Sequence, residues 1–207
     1  MKICGLTRLA DAEAAVELGA WAVGMVFHED SPRCCSLEEA ERIGAVLHRR
    51  AEIAGVFVNA HLDVIAEVAE RAGLTLIQLQ GDEGPVFAGE VARRTGARTI
   101  KAAAVLGPST LQDLARFHTD FHLLDGHAPG LRGGTGSSFE WPVARARRSS
   151  IPLIVSGGLR PENVAEAIAA THPFAVDVAS GVEAAPGIKD HARMRAFFEA
   201  ADAAVVA

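Results

Sequence analysis

The 207-residue chain contains no tyrosine, only two tryptophans and only three cysteines. It also lacks any apolar run near the ~20 residues that a membrane-spanning helix needs, so no membrane partner is expected. Positive charge is in deficit: 20 Lys and Arg stand against 26 Asp and Glu, a formal charge of -6. That balance argues against nucleic acid as a general partner, which would select a basic face. It leaves a phosphorylated small molecule open as substrate, because backbone N–H groups bind phosphate without net positive charge. Cys4, Cys34 and Cys35 make an odd count with one adjacent pair. Such a set is a poor disulfide framework and fits a reducing, cytoplasmic location. Metal-ligand spacing is missing too. His118 and His122 are four apart, but Asp120-Phe121-His122 reads as the entry to a strand. No metal is therefore expected. A strand-like Lys2-Ile3-Cys4 directly follows Met1, so no signal peptide is expected either.

What is present is a regular alternation of short apolar runs and amphipathic stretches. The runs cover Lys2–Cys4, Trp21–Phe27, Ile53–Val58, Leu74–Gln80, Thr99–Val105, Phe121–Gly126, Pro152–Gly158 and Phe174–Ser180. They alternate little in polarity, as parallel strands buried on both faces do. Between them lie helix signals. Thr7 precedes a stripe of Leu9, Ala12 and Val16 that stops at Gly19, and Ser36 with Glu39 makes a capping-box pattern. Leu62, Ile65, Ala69 and Ala72 share one face before Gly73. Further helices are expected over Val86–Arg94, Thr110–Phe117 and Trp141–Arg148, then from Pro161 to about Thr171, and finally after Asp190. Eight β-then-α units spaced by roughly 26 residues predict an α/β chain folded as a single (β/α)8 barrel over residues 1–207. A doubly wound open sheet is the competing architecture. The outer helix faces fit a monomer or a homodimer equally.

In such a barrel the active site is built from the C-terminal ends of the strands. Those ends offer Cys4-Gly5, Arg33 in the loop after strand two, Gln80, Asp125, the loop Gly133-Gly134-Thr135-Gly136, Ser156-Gly157-Gly158 and Ser180-Gly181. Glycine turns after strands seven and eight are where barrel enzymes place a phosphate, so Gly157, Gly158, Ser180 and Gly181 are candidate phosphate residues. Cys4 reads either as a small buried apolar side chain or as a catalytic thiolate. Asp125 either caps a local turn or projects into the barrel mouth as a proton donor. Arg33 is a solvated loop charge or a fork for a ligand carboxylate. Read from the residues alone, the chain is an acid/base isomerase or lyase acting on a small phosphorylated anion.

The ordered segments resemble one family. Lys2-Ile3-Cys4-Gly5-Leu6-Thr7, Ser31-Pro32-Arg33, Gly55-Val56-Phe57-Val58, Gln78-Leu79-Gln80-Gly81, Leu124-Asp125, Gly133-Gly134-Thr135-Gly136, Ser156-Gly157-Gly158-Leu159, Pro161-Glu162-Asn163-Val164 and Asp177 through Glu183 are similar to phosphoribosylanthranilate isomerases. Pro186-Gly187-Ile188-Lys189-Asp190 completes the set, which spans essentially the whole chain. The resemblance implies an Amadori rearrangement in tryptophan biosynthesis without cofactor. It further implies Asp125 as general acid at the ring oxygen, Cys4 as general base at C2′, Arg33 on the anthranilate carboxylate, and the glycine turns on the phosphate. Gln80 stands where the family commonly has histidine, which leaves it a substrate-contact role. Cys34-Cys35 replaces an aromatic and a small residue. A related isomerase of a phosphoribosyl imidazole intermediate would carry an aspartate in place of Cys4. A phosphate-sensing barrel would have no use for both Cys4 and Asp125.

Overall fold

The computed structural model describes residues 1–105, 108–126, 144, 147 and 149–206. Eight parallel strands close a barrel in chain order: β1 (Lys2–Ile3), β2 (Ala22–Phe27), β3 (Glu52–Phe57), β4 (Leu76–Leu79), β5 (Arg98–Ala104), β6 (Phe121–Asp125), β7 (Leu153–Ser156) and β8 (Ala175–Val178). The short β1 makes the closure. Its Lys2 lies opposite Ala22 of β2 on one side and Asp177 of β8 on the other. The described helices are α1 (Leu9–Glu17), α2 (Leu37–Leu47), α3 (Leu62–Ala72), α4 (Pro85–Thr95), α5 (Pro108–Leu114), α6 (Val164–Thr171) and α7 (His191–Val206). After β8 come a 3-10 turn (Ser180–Val182) and an antiparallel pair, β9 (Glu183–Ala185) and β10 (Ile188–Lys189). The helix expected over 141–148 and the glycine loop at 133–136 fall outside the described residues, apart from Ala144 and Arg147.

Local chemistry sets the helix ends, not always as the sequence suggests. Thr7 does not cap α1. Its hydroxyl donates to the Gly187 carbonyl at 2.6 Å, and the Leu9 N–H is taken instead by the Glu39 carboxylate at 2.6 Å. Ser36 does cap α2, its Oγ accepting from the Glu39 N–H at 3.2 Å. The reciprocal half of the box is missing because the Glu39 carboxylate serves α1. Helix α6 begins at Val164, three residues later than Pro161 suggests. Asn163 explains the delay: its Oδ1 accepts from the Arg160 N–H and its Nδ2 donates to the Gly158 carbonyl, which holds 160–163 as a turn. Gly73 and Gly96 end α3 and α4 in left-handed conformations, as helix-stop glycines do. Asp190 opens α7 by accepting from the N–H groups of Ala192 and Arg193.

Two apolar shells result. Outward strand residues such as Val23, Ile53, Ile77 and Val155 pack with Ile43, Met194 and Phe197 of the helices. Inward residues Ala22, Ala54, Leu76, Ile100, Leu123 and Ile154 fill the barrel floor against Trp21. Each buried Leu or Ile contributes roughly 1.5–3 kcal/mol. Side chains alternate along a strand, so the next inward position after each floor residue lies one layer nearer the C-terminal mouth. On β4, β6, β7 and β8 those positions read Gln78, Asp125, Ser156 and Asp177.

Candidate active site

Arg33, Asp125, Gly157, Gly158 and Ser180 come together around one cavity at this mouth, whose lining includes neither Cys4 nor Gln80. Asp125 is the half-buried last residue of β6, and Ser156 is the last residue of β7, paired with it in register. Gly157 and Gly158 follow in left-handed conformations, with φ of +93° and +66°. Gly157 admits no side chain: a Cβ there would meet the Gly126 nitrogen and lie 2.6 Å from Asp125 Oδ1. The turn is therefore pressed against the candidate acid. A cavity of about 340 Å³ opens here, lined by Arg33, Asp125, Gly157, Gly158, Asp177 and Ser180 among others. Its size lies in the range of small-ligand sites. Gly181 is not part of that lining. It lets the loop after β8 pass against the Leu159 carbonyl, where any Cβ would collide.

Cys4 follows β1 and is buried at 7% exposure, its N–H bound to the Val178 carbonyl at 2.9 Å. Burial pushes its thiol up from the ordinary value, and Asp177 adds to the rise, while Lys2 and Lys189 oppose it. Gln80 does more than its contact role implied, donating from Nε2 to Asp125 Oδ2 at 3.3 Å. Its own Oε1 accepts from Gln78 Nε2 at 2.7 Å, so an amide pair supports the carboxyl of Asp125.

Arg33 is not a solvated loop charge. Its Nε and Nη2 donate to both oxygens of Glu183 at 2.8 and 2.7 Å, and its stem crosses Gly5. Two of its five N–H donors are thereby committed while it still borders the cavity. Glu183 also accepts from Lys189 Nζ at 2.9 Å. Burial pushes the Glu183 carboxyl up, but the hydrogen bonds from Arg33 and Lys189 outweigh it and hold the group below the ordinary range. Glu83, at the end of the Gln78 segment, faces away from this chemistry. It pairs with Lys101 at 2.9 Å and takes the Asn59 N–H at 2.7 Å, a clamp for the loop after β4.

Lys2, Asp177, Glu183 and Lys189 were not candidates on sequence grounds. The signal for Lys2 and Asp177 was the period of two: they share the inward face with Cys4 and Ala179. No local signal pairs Arg33 with Glu183, which stand 150 positions apart. Among the described residues no group of three or more His, Cys, Asp or Glu could hold a metal ion. None of the described helices is long and apolar enough to cross a membrane.

Comparison with known proteins points in one direction. The family model for N-(5'phosphoribosyl)anthranilate (PRA) isomerase matches residues 1–200. An N-(5'-phosphoribosyl)anthranilate isomerase of Geobacter metallireducens is 45% identical over 203 residues, covering 98% of each chain. The crystal structure of phosphoribosyl anthranilate isomerase from Thermotoga maritima matches with a TM-score of 0.87 at 41% identity, covering 98% of both chains. A phosphoribosyl anthranilate isomerase solved in complex with reduced 1-(o-carboxyphenylamino)-1-deoxyribulose 5-phosphate matches with a TM-score of 0.81 at 39% identity, covering 98% of this chain and 97% of that one.

Proposed function

The chain belongs to the N-(5'-phosphoribosyl)anthranilate isomerase family, and on that premise we propose that Cys4 and Asp125 are the base and acid of its reaction. The enzyme is an intramolecular aldose–ketose isomerase of tryptophan biosynthesis. It turns N-(5-phosphoribosyl)anthranilate into 1-(2-carboxyphenylamino)-1-deoxyribulose 5-phosphate, an Amadori rearrangement.

Asp125, protonated, gives its proton to the furanose ring oxygen while the anthranilate nitrogen pushes its lone pair toward C1′. The C1′–O bond breaks and a C1′=N iminium forms. The Cys4 thiolate then takes the C2′ proton, and the released pair makes C1′=C2′ while the iminium pair returns to nitrogen. The resulting enol tautomerises, C1′ gaining a proton and the C2′ hydroxyl losing one, to the ketone. No oxidant is consumed, and the substrate nitrogen is the only electron sink required. General acid and base steps of this kind each contribute roughly 10²–10⁴-fold. Gly157, Gly158 and Ser180 hold the phosphate, whose charge their N–H groups favour, and Gly181 gives the second turn its close path past Leu159. Arg33 offers its remaining donors to the anthranilate carboxylate, with Glu183 fixing the guanidinium plane. Gln80 orients Asp125 beside the ligand.

The observation that carries this reading is the single cavity shared by Arg33, Asp125 and the two glycine turns. It presents cation, acid and phosphate cradle to one small anion. One barrel spanning 1–207 is the functional unit in this reading, working in the cytoplasm, where Cys4, Cys34 and Cys35 stay free thiols. The test is turnover of phosphoribosylanthranilate generated in situ, followed by loss of its fluorescence. Rapid loss with wild type, nearly abolished by Cys4→Ser and by Asp125→Asn in folded protein, is expected. Turnover that survives both substitutions overturns the assigned roles.

A further inference from the structure

A base must be a thiolate, yet Cys4 is buried among strands that disfavour its charge. Two residues earlier on the same inward face lies Lys2, which is 0% exposed. Its Nζ donates to Asp177 Oδ1 at 2.9 Å. Gly24, on the neighbouring strand, has no side chain to separate the groups above it. A Cβ built there would lie 3.0 Å from Cys4 Sγ and 3.3 Å from Lys2 Nζ. Sulfur and ammonium thus meet in the same small space, over the one inward position of β2 that is glycine.

We propose that Lys2 is a positioning residue for the isomerisation: anchored by Asp177, its buried ammonium faces the Cys4 sulfur across Gly24 and stabilises the thiolate that takes the C2′ proton. The proposal rests on the reading of Cys4 as the base.

A buried ion pair alone is weak evidence of purpose, since an apolar pair of similar volume often serves stability as well. The surroundings of the sulfur argue for more. Besides Lys2 and Asp177, the groups facing Cys4 are Lys189 of β10 and Arg33 of the loop after β2. Both of these cations share the carboxylate of Glu183. Among these described groups, three cations stand with two carboxylates, so ionisation of Cys4 brings the cluster to balance. Asp177 is also drawn partly away from Lys2, because its Oδ2 accepts from Ser156 Oγ at 3.3 Å, beside the phosphate turn. An ammonium has three donors, and only one goes to Asp177. Burial pulls the Lys2 ammonium down, but Asp177 and Cys4 outweigh it and hold it up at about 12. It therefore stays charged while Cys4 titrates.

The decisive experiment measures two pH dependences in wild type, Lys2→Met, Lys2→Arg and Asp177→Asn, with folding checked by thermal melts. One is kcat/KM; the other is iodoacetamide labelling of the Cys4 peptide, read by mass spectrometry. Lys2→Met should raise the Cys4 titration by about one pH unit, cutting kcat near neutrality about tenfold with little change in KM. Lys2→Arg should restore most of that loss. Asp177→Asn should move the titration the opposite way, downward, because it removes an anion from beside the thiolate. Shifts of opposite sign are not expected from loosened packing. An unmoved Cys4 titration in folded Lys2→Met, or shifts of the same sign in both variants, overturns the proposal. If Lys2→Met does not fold, Lys2→Gln, which keeps a polar donor for Asp177 without the charge, decides: an upward shift of the Cys4 titration supports the coupling, and an unchanged or downward one contradicts it. Labelling reads the coupling whether or not Cys4 is the base. Wild-type turnover by Cys4→Ser, with the labelling shifts intact, would sink only the base assignment.

Discussion

On four strands the inward residues change character in a single step: Leu76 gives way to Gln78, Leu123 to Asp125, Ile154 to Ser156 and Ala175 to Asp177. The lower member of each pair belongs to an apolar floor sealed by Trp21. The upper member belongs to a polar mouth in which Gln78 reaches Gln80, Gln80 reaches Asp125, and Ser156 reaches Asp177. Floor and mouth share backbone, sheet register and strand twist, and they differ only in what the side chains must do. The floor stabilises the barrel by excluding water, and it gains nothing from a charge. The mouth holds polar groups in partly dry surroundings, where a hydrogen bond makes burial tolerable and aims the group that makes it. Stability and chemistry are thus separated by one side-chain layer.

Substitutions across that boundary should separate cleanly. The largest expected effect is in the mouth. Asp125→Asn should lower kcat by roughly 10²–10⁴-fold, the usual weight of a general acid, while the melting temperature stays within a few degrees of wild type. Next comes the floor. Ile154→Ala should cost about 2–5 kcal/mol in denaturant unfolding, through lost transfer energy and the cavity left behind. The fraction still folded should turn over at close to the wild-type kcat. A large kcat loss there would break the comparison.

Gly157→Ala probes the boundary itself. The left-handed backbone costs an alanine of order 1–2 kcal/mol, and the new methyl presses on Asp125 and Gly126. A rise in KM of roughly tenfold with a smaller fall in kcat is expected, read by steady-state kinetics. The smallest effect is set by pH. Burial raises the Cys4 thiol above its ordinary value, and the reactive form is the deprotonated one, so kcat/KM should climb with pH through neutrality. The climb should continue beyond the ~8.5 at which an exposed cysteine titrates. A plateau already reached at pH 7 would show that the mouth activates its thiol more strongly than its burial suggests.

Much of this arrangement is legible in the chain. Eight apolar runs at even spacing allow one simple closure, and catalytic types at strand ends mark the mouth, so Cys4, Asp125 and the Ser156-Gly157-Gly158 turn stand out before any coordinates. Other features are not legible because they join residues far apart in sequence. Glu39 caps α1 rather than completing its own box, since barrel curvature brings α2 beside the start of α1. The Arg33–Glu183 fork and the Lys2–Asp177 pair link the loop after β2 and the first strand to the last quarter of the chain, contacts that only barrel closure creates. Lys2 reads in the sequence only as part of the first strand run, with no sign of its partner. Closure between β2 and β8 is what buries it.

The division of labour between Asp125 and Cys4 is tested most directly by an isotope effect at C2′. Phosphoribosylanthranilate carrying deuterium at C2′ should react more slowly than the protiated substrate with Cys4→Ser, because crippling the base makes removal of that proton limiting. With Asp125→Asn, ring opening should limit the rate and the isotope effect should vanish. The reverse pattern, a large effect with Asp125→Asn and none with Cys4→Ser, would contradict the assignment of acid and base.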